Sequence, residues 1–159
     1  LHCSSAASDV YKRQTLMYAA LEEAHKAYDQ GEVPVGAVVC HEGEIIARAC
    51  NQIETSAFAG AHAEMLALKA AAEKLNRWRL SDCTLVVTLE PCAMCMGAIR
   101  LARIATLVYG APDPRMGSAG SVYDLASSSN MGPIPQITSG VLEDECSTLL
   151  KSFFRELRN

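Results

Sequence analysis

The sequence predicts an α/β fold in three layers, a mixed sheet of about five strands with helices on both faces. Three observations carry that reading. Segments with helical spacing of apolar residues alternate with short β-branched runs, in the order α-β-β-α-β-α-β-(β)-α. The 159 residues, 50% hydrophobic and 20% charged, suit one domain with a substantial core. No apolar run approaches the roughly 18–20 residues of a membrane helix, so no membrane attachment is expected.

The elements follow in order. Residues 1–14, LHCSSAASDVYKRQ, show neither the apolar core of a signal peptide nor an amphipathic pattern. They are expected to be a disordered tail, or a start foreign to the native gene, ahead of a single domain over residues 15–159. From Thr15, the residues Leu16, Ala19, Ala20, Ala24 and Ala27 recur at helical spacing, and Gly31 is the expected stop. Residues 33–40 are β-branched and apolar, His41-Glu42-Gly43 turns, and 44–49 pair back as a hairpin. Residues 51–60 lack periodicity and predict a loop; the Ala-rich stretch 61–75 predicts a helix.

An apolar strand over 83–89 is stopped by Pro91. Proline suits the first turn of a helix, where its missing N–H would be unbonded anyway, so residues 93–102 predict a helix. A strand over 105–109 follows. Residues 110–132 are rich in Gly, Ser and Pro and predict a functional loop system. A brief strand at 136–138 and a helix over 143–157 complete the chain, with Leu149, Leu150, Phe153 and Phe154 expected on the buried side of that helix.

Charge and cysteine usage narrow the function. The net charge is −4 and the pI ≈ 5.5, well below the value of about 9 that marks an overtly nucleic-acid-binding domain. Residues 1–95 hold 8 basic and 12 acidic side chains; residues 96–159 hold 6 of each. In that neutral part the basic residues bunch, as Arg100, Arg103 and Arg115 and then Lys151, Arg155 and Arg158. They form either a solvated face or a local basic patch. Of the 7 cysteines only Cys92 and Cys95 are closely spaced, which excludes a secreted disulfide framework and favours the reducing cytoplasm. Cys40, Cys50 and Cys83 are expected to be buried filler.

Two segments carry chemistry: His62-Ala63-Glu64 and Pro91-Cys92-Ala93-Met94-Cys95. Each opens a predicted helix, where the positive end of the helix dipole favours thiolates. Cys92 and Cys95, at i and i+3, can aim both sulfurs at one point, with His62 as a third ligand. Three protein ligands leave one tetrahedral position of Zn²⁺ open, as in a catalytic site. Zinc lowers the pKa of bound water from 15.7 to roughly 7. Glu64 can then move the proton to a leaving nitrogen. Singly these residues have plainer readings. A histidine at a helix start is ordinarily a cap, and a CxxC after a strand equally fits a thioredoxin-like redox pair. In conjunction, H-x-E followed by P-C-x-x-C is the pattern of zinc nucleobase deaminases.

Further segments sharpen the match. These are Glu32-Val33-Pro34-Val35-Gly36-Ala37-Val38, Asn51 eleven residues before His62, and Val87-Thr88-Leu89-Glu90 before the Pro-Cys motif. To them are added Tyr109-Gly110-Ala111, Asp113, Gly117-Ser118-Ala119-Gly120-Ser121, Asp144-Glu145-Cys146 and Phe153-Phe154-Arg155. With them the chain, from about Leu16 to Leu157, resembles the bacterial tRNA-specific adenosine deaminases of the cytidine deaminase-like superfamily. The resemblance implies hydrolytic deamination of the wobble adenosine of a tRNA anticodon to inosine. It implies one Zn²⁺ per subunit on His62, Cys92 and Cys95, with Glu64 as proton shuttle. Asn51 would fix the flipped nucleoside, the backbone at Ala63 would contact the base, and Val35 and Leu89 would wall it. Asp113 would meet the neighbouring nucleotide, and Arg115, Lys151, Arg155 and Arg158 the phosphates.

It also implies a homodimer, for which Met94, Met96 and Ile99 offer an apolar interface unless they pack within one subunit. The chain departs from the family's pattern at Gln52, at Phe58-Ala59-Gly60 and at Pro112 and Pro114, all on the substrate side. Two competing readings stand beside this one. The first is a deaminase of a free nucleobase or nucleoside such as guanine, cytosine or cytidine, and the second a non-enzymatic redox or structural CxxC module.

Overall fold

A computed structural model describes residues 6–159 and contains a five-stranded sheet in the order β2-β1-β3-β4-β5. Strands β1 (Gly36–His41) and β2 (Glu44–Cys50) form an antiparallel hairpin. Its two-residue turn, Glu42-Gly43, has positive φ at both positions, the backbone twist that matches paired strands. Strand β3 (Cys83–Leu89) runs antiparallel to β1 and parallel to β4 (Thr106–Ala111), and β5 (Gln136–Thr138) extends the parallel part. The sheet is therefore mixed, as predicted.

Strand periodicity sorts the core into two layers. Ala37, Val39, Leu85, Val87 and Leu107 face α3 (Ala63–Leu75) and α4 (Ala93–Leu101). Val38, Val86 and Val108 face the other way, against Met17, Ala20 and Leu21 of α1 (Ala6–Asp29) and Cys146 of α5 (Glu143–Leu157). Helix α1 lies so close to β1 that a Cβ on Gly36 would stand 2.5 Å from the Ala24 nitrogen. Cys50 and Cys83 are buried and Cys40 half-buried. Among the described residues no helix is long and apolar enough to cross a membrane.

Several expectations are corrected. Helix α1 begins at Ala6, well ahead of Thr15, so residues 6–14 of the expected disordered tail are helical; residues 1–5 of it lie outside the described residues. This stretch lacks an apolar stripe, yet Ala, Lys, Arg and Gln propagate a helix already docked further on. Strand β1 starts at Gly36 and not at 33, because Pro34 brings no N–H to a ladder. The expected loop over 51–60 contains one helical turn, α2 (Ile53–Ser56), capped from a distance by the buried Glu32 carboxylate, which accepts the N–H groups of Glu54 and Thr55. Met96 and Ile99 are core residues, and Met94 alone of that trio is exposed.

Arg100 leaves the basic cluster altogether. It is 1% exposed, and its guanidinium donates to the carbonyls of Leu125, Ala126, Ser128, Gly132 and Pro133 at 2.8–3.2 Å. Arg103 adds the Met131 carbonyl. Phe154, expected on the buried side of α5, is 41% exposed, while Phe153 packs edge-on against Tyr28. Neighbouring helix residues point about 100° apart, so one narrow buried stripe takes only one of the two.

Candidate active site

The site lies where α3 and α4 begin. His62 and Cys92 occupy the positions that open the two helices, and neither side chain caps its own helix, which frees both for a ligand. The Cys95 sulfur stands 3.4 Å and the Cys92 sulfur 3.7 Å from Nδ1 of His62. All three donor atoms lie within 4.8 Å of one another. With Zn–S about 2.3 Å and Zn–N about 2.0–2.1 Å, tetrahedral ligands stand roughly 3.6 Å apart. The donor set and its spacing fit a metal, and this group can hold one. The predicted trio is brought together as expected.

Electrostatics favour that use. The Cys95 thiol, donating to Cys92, pulls the Cys92 sulfur down to about 4, against the opposing effect of burial and with help from His62. The hydrogen bond with Cys92 raises His62. Cys95, as the donor and the more buried thiol, is raised. Glu64 is 4% exposed, and burial pushes its carboxyl up to about 7. At that value it both takes and gives protons at neutral pH.

Asn51 is buried, and its Oδ1 accepts the Ala63 N–H at 2.8 Å. Val35 is buried in the same core layer as Ala63. Leu89 and Asp113 line one cleft of ≈ 300 Å³ with Val33, Leu150 and Phe154. Arg115, Lys151, Arg155 and Arg158 line a second of ≈ 730 Å³ that shares Pro114, Arg115, Leu150 and Phe154 with the first. The dispersed basic residues thus converge on one surface next to Asp113. A third cleft, between α1 and α5, includes none of these residues.

The chain matches the MafB19-like deaminase family over residues 11–158. It is 49% identical over 142 residues to the tRNA-specific adenosine deaminase of Bacillus subtilis (strain 168), covering 89% of this chain and 88% of that protein. The chain belongs to the tRNA-specific adenosine deaminase family. A solved structure from work on A-to-I editing by tRNA:A34 deaminases superposes with a TM-score of 0.83 at 40% identity, over 86% of this chain and 99% of that one. The guanine deaminase of Nitrosomonas europaea shares the fold, with a TM-score of 0.77 at 24% identity, over 96% and 95% of the two chains.

Two acidic residues, Glu32 and Glu90, have no role assigned by the sequence beyond their place in the matching segments. Glu32 caps α2 through Glu54 and Thr55, and Glu90 lies buried two residues before Cys92. Burial raises the Glu90 carboxyl, but hydrogen bonds from Ser121, Asp113 and Ala119 outweigh it and hold the group below its ordinary value. A carboxylate between an apolar strand and a Pro-Cys motif was the available signal.

Proposed function

We propose that residues 15–159 act as a single zinc-dependent deaminase domain, converting adenosine to inosine at the wobble position of a tRNA anticodon and releasing ammonia. The observation that carries this reading is the buried Glu64 carboxyl beside the His62, Cys92 and Cys95 donor set. Likeness to a tRNA-specific enzyme over nearly the whole chain supports the substrate.

His62, Cys92 and Cys95 hold one zinc per subunit. When bound, zinc supplies the Lewis acidity that makes water a nucleophile at neutral pH. Glu64 would take one proton from the attacking water and pass it to the ring nitrogen, then carry the second, released from the new C6 hydroxyl, to the amino group, which leaves as ammonia. Asn51 holds the flipped nucleoside through its amide nitrogen, oriented by the bond from Ala63. Val35, Leu89 and the main chain at Ala63 wall the base. Asp113 meets the neighbouring nucleotide, and Arg115, Lys151, Arg155 and Arg158 meet phosphates.

The protein works in the cytoplasm as a homodimer. Trp78 and Leu101, both exposed, border an apolar cleft between α3 and α4 that a second copy would cover.

The test is ammonia release with zinc quantified in the same sample. An anticodon stem-loop with adenosine at the wobble position is offered in parallel with guanine, cytosine and cytidine. Turnover of the stem-loop alone is expected. Turnover of a free base alone would move the protein to nucleobase salvage. Cys92→Ser is expected to lose the metal; a reversible Cys92–Cys95 disulfide in a metal-free active protein would instead favour a redox module.

A further inference from the structure

Glu90 is 1% exposed, yet its carboxylate pairs with no basic side chain among the described residues. Four donors from one loop surround it. Oε1 accepts the main-chain N–H of Asp113 at 3.1 Å and the Ser121 hydroxyl. Oε2 accepts the N–H of Ala119 at 3.0 Å and that of Ser121 at 3.1 Å. Main-chain bonds Glu90 N–H to Ala111 and Ser118 N–H to Pro91 tie the same segments together. A Cβ on Gly117 would lie 2.5 Å from the Glu90 carboxylate and 2.5 Å from the Asp113 carbonyl, so the loop closes over the side chain only because residue 117 has none.

A buried carboxylate is stable only when its lone pairs are satisfied, and three N–H groups curled around an anion form a concave nest. This nest is built from residues 113–121, the loop that contributes Asp113 to one of the two adjoining clefts and Arg115 to both. Glu90 is two residues from Cys92 in sequence. A single side chain therefore fixes the loop's main chain to the start of the helix that carries two of the three donor atoms.

We infer that Glu90 is a positioning residue for substrate: its carboxylate shapes the 113–121 loop so that Asp113 and Arg115 meet the RNA next to the reacting base. The inference rests on the proposed tRNA reading and adds a specificity element to it. A glutamate is needed because all its lone pairs accept and it has no donor. The amide of a glutamine, turned either way, aims its NH₂ at one or more main-chain N–H groups. Glu90→Gln thus keeps the size and shape of the side chain while opening the nest.

The test follows three variants in the zinc-loaded enzyme: Glu90→Gln, Ser121→Ala and Gly117→Ala. For Glu90→Gln, KM for the anticodon stem-loop is expected to rise about tenfold, the scale of leaving a buried donor unbonded, with kcat within about threefold and zinc content unchanged. Amide hydrogen exchange in 113–121 is expected to accelerate by about tenfold or more on the same ground. Ser121→Ala, which removes one of four donors, is expected to fall between. Gly117→Ala leaves Glu90 in place and is expected to reproduce the rise in KM, without a further rise in the double variant. It decides the matter should Glu90→Gln fail to fold or to bind zinc. Unchanged KM and unchanged exchange in Gly117→Ala, or a loss of kcat with zinc retained and KM intact in Glu90→Gln, would overturn the inference. Wild-type turnover of free bases alone would instead remove the tRNA reading, and the exchange measurement would still report on the nest.

Discussion

Asn51 Oδ1 accepts the main-chain N–H of Ala63 at 2.8 Å, so the loop after β2 caps the helix that carries Glu64. First-turn N–H groups have no partner within their own helix. His62 faces the two cysteine sulfurs and leaves that task to a residue eleven positions upstream. No other described residue takes the Asn51 amide nitrogen.

Two substitutions at Asn51 separate the roles. Asn51→Asp keeps an acceptor for Ala63 and loses the donor. Its melting temperature is expected to match wild type, while KM for the stem-loop rises. Asn51→Ala is expected to lose about 1 kcal/mol of stability as well, the usual worth of a helix cap. Thermal melts and steady-state kinetics on both variants decide it; wild-type kinetics in Asn51→Asp would confine Asn51 to capping.

Glu64→Ala is expected to retain zinc and to lose about 10²–10⁴ in turnover, the contribution of a positioned proton shuttle. Measurable wild-type turnover would sink the mechanism. In metal-free protein the same residue has a second signature. Its carboxyl is raised by burial from 4.5 to about 7, so the folded state binds more protons than the unfolded state between those values. Stability from this group therefore falls as pH rises through that window. Denaturant titrations should find metal-free Glu64→Gln more stable than wild type at pH 8 and no more stable at pH 4.

Salt dependence reports on the basic surface. Single-stranded nucleic acid binding weakens with a slope of about −0.7 in log–log form for each phosphate neutralised. If Arg115, Lys151, Arg155 and Arg158 each meet one phosphate, their joint share of the slope is about −3. Replacing any one by Ala should lower the magnitude by about 0.7, measured by fluorescence anisotropy of a labelled stem-loop. An unaltered slope in all four variants would place the RNA elsewhere.

Far from the site, Asp82 bridges Arg77 at 2.7 Å and His41 at 2.8 Å, joining the hairpin end of β1 to the start of β3. Arg77 first, and then His41, hold the Asp82 carboxyl down at about 2, below its ordinary 3.8. A depressed carboxyl stabilises the fold above its unfolded value, and that contribution is lost as pH falls through the folded one. The stability difference between wild type and Asp82→Asn should be complete above pH 4 and vanish near pH 2. Acid titration followed by circular dichroism measures it. A difference that persists at pH 2 would mean that it does not come from the charge on Asp82.

What was legible in the sequence was local. The hairpin shows in two β-branched runs about a Glu-Gly turn, and α4 in the proline that precedes Cys92. His62, Glu64, Cys92 and Cys95 show because their chemistry demands short fixed spacings. Glu90 and Arg100 were illegible for the converse reason. Whether a charged side chain is buried depends on loops 20 or more residues further along the chain. Arg100 reads as one more surface base until five carbonyls are found around it. The early start of α1 was hidden because residues 6–14 hold their helix by propensity, which leaves no apolar stripe to read.

The ring of carbonyls about Arg100 has a consequence for how this segment tolerates change. Residues 125–133 wrap the guanidinium as a crown ether wraps a cation, and every ligating atom belongs to the main chain. The guanidinium therefore sets no requirement on side-chain identity along the segment; the limits there come from elsewhere, from the core at Ala126 and from Arg103 against Gly132. The guanidinium does fix the number of residues: one inserted or deleted position breaks the circle and strands a desolvated cation on α4, the helix that carries Cys95.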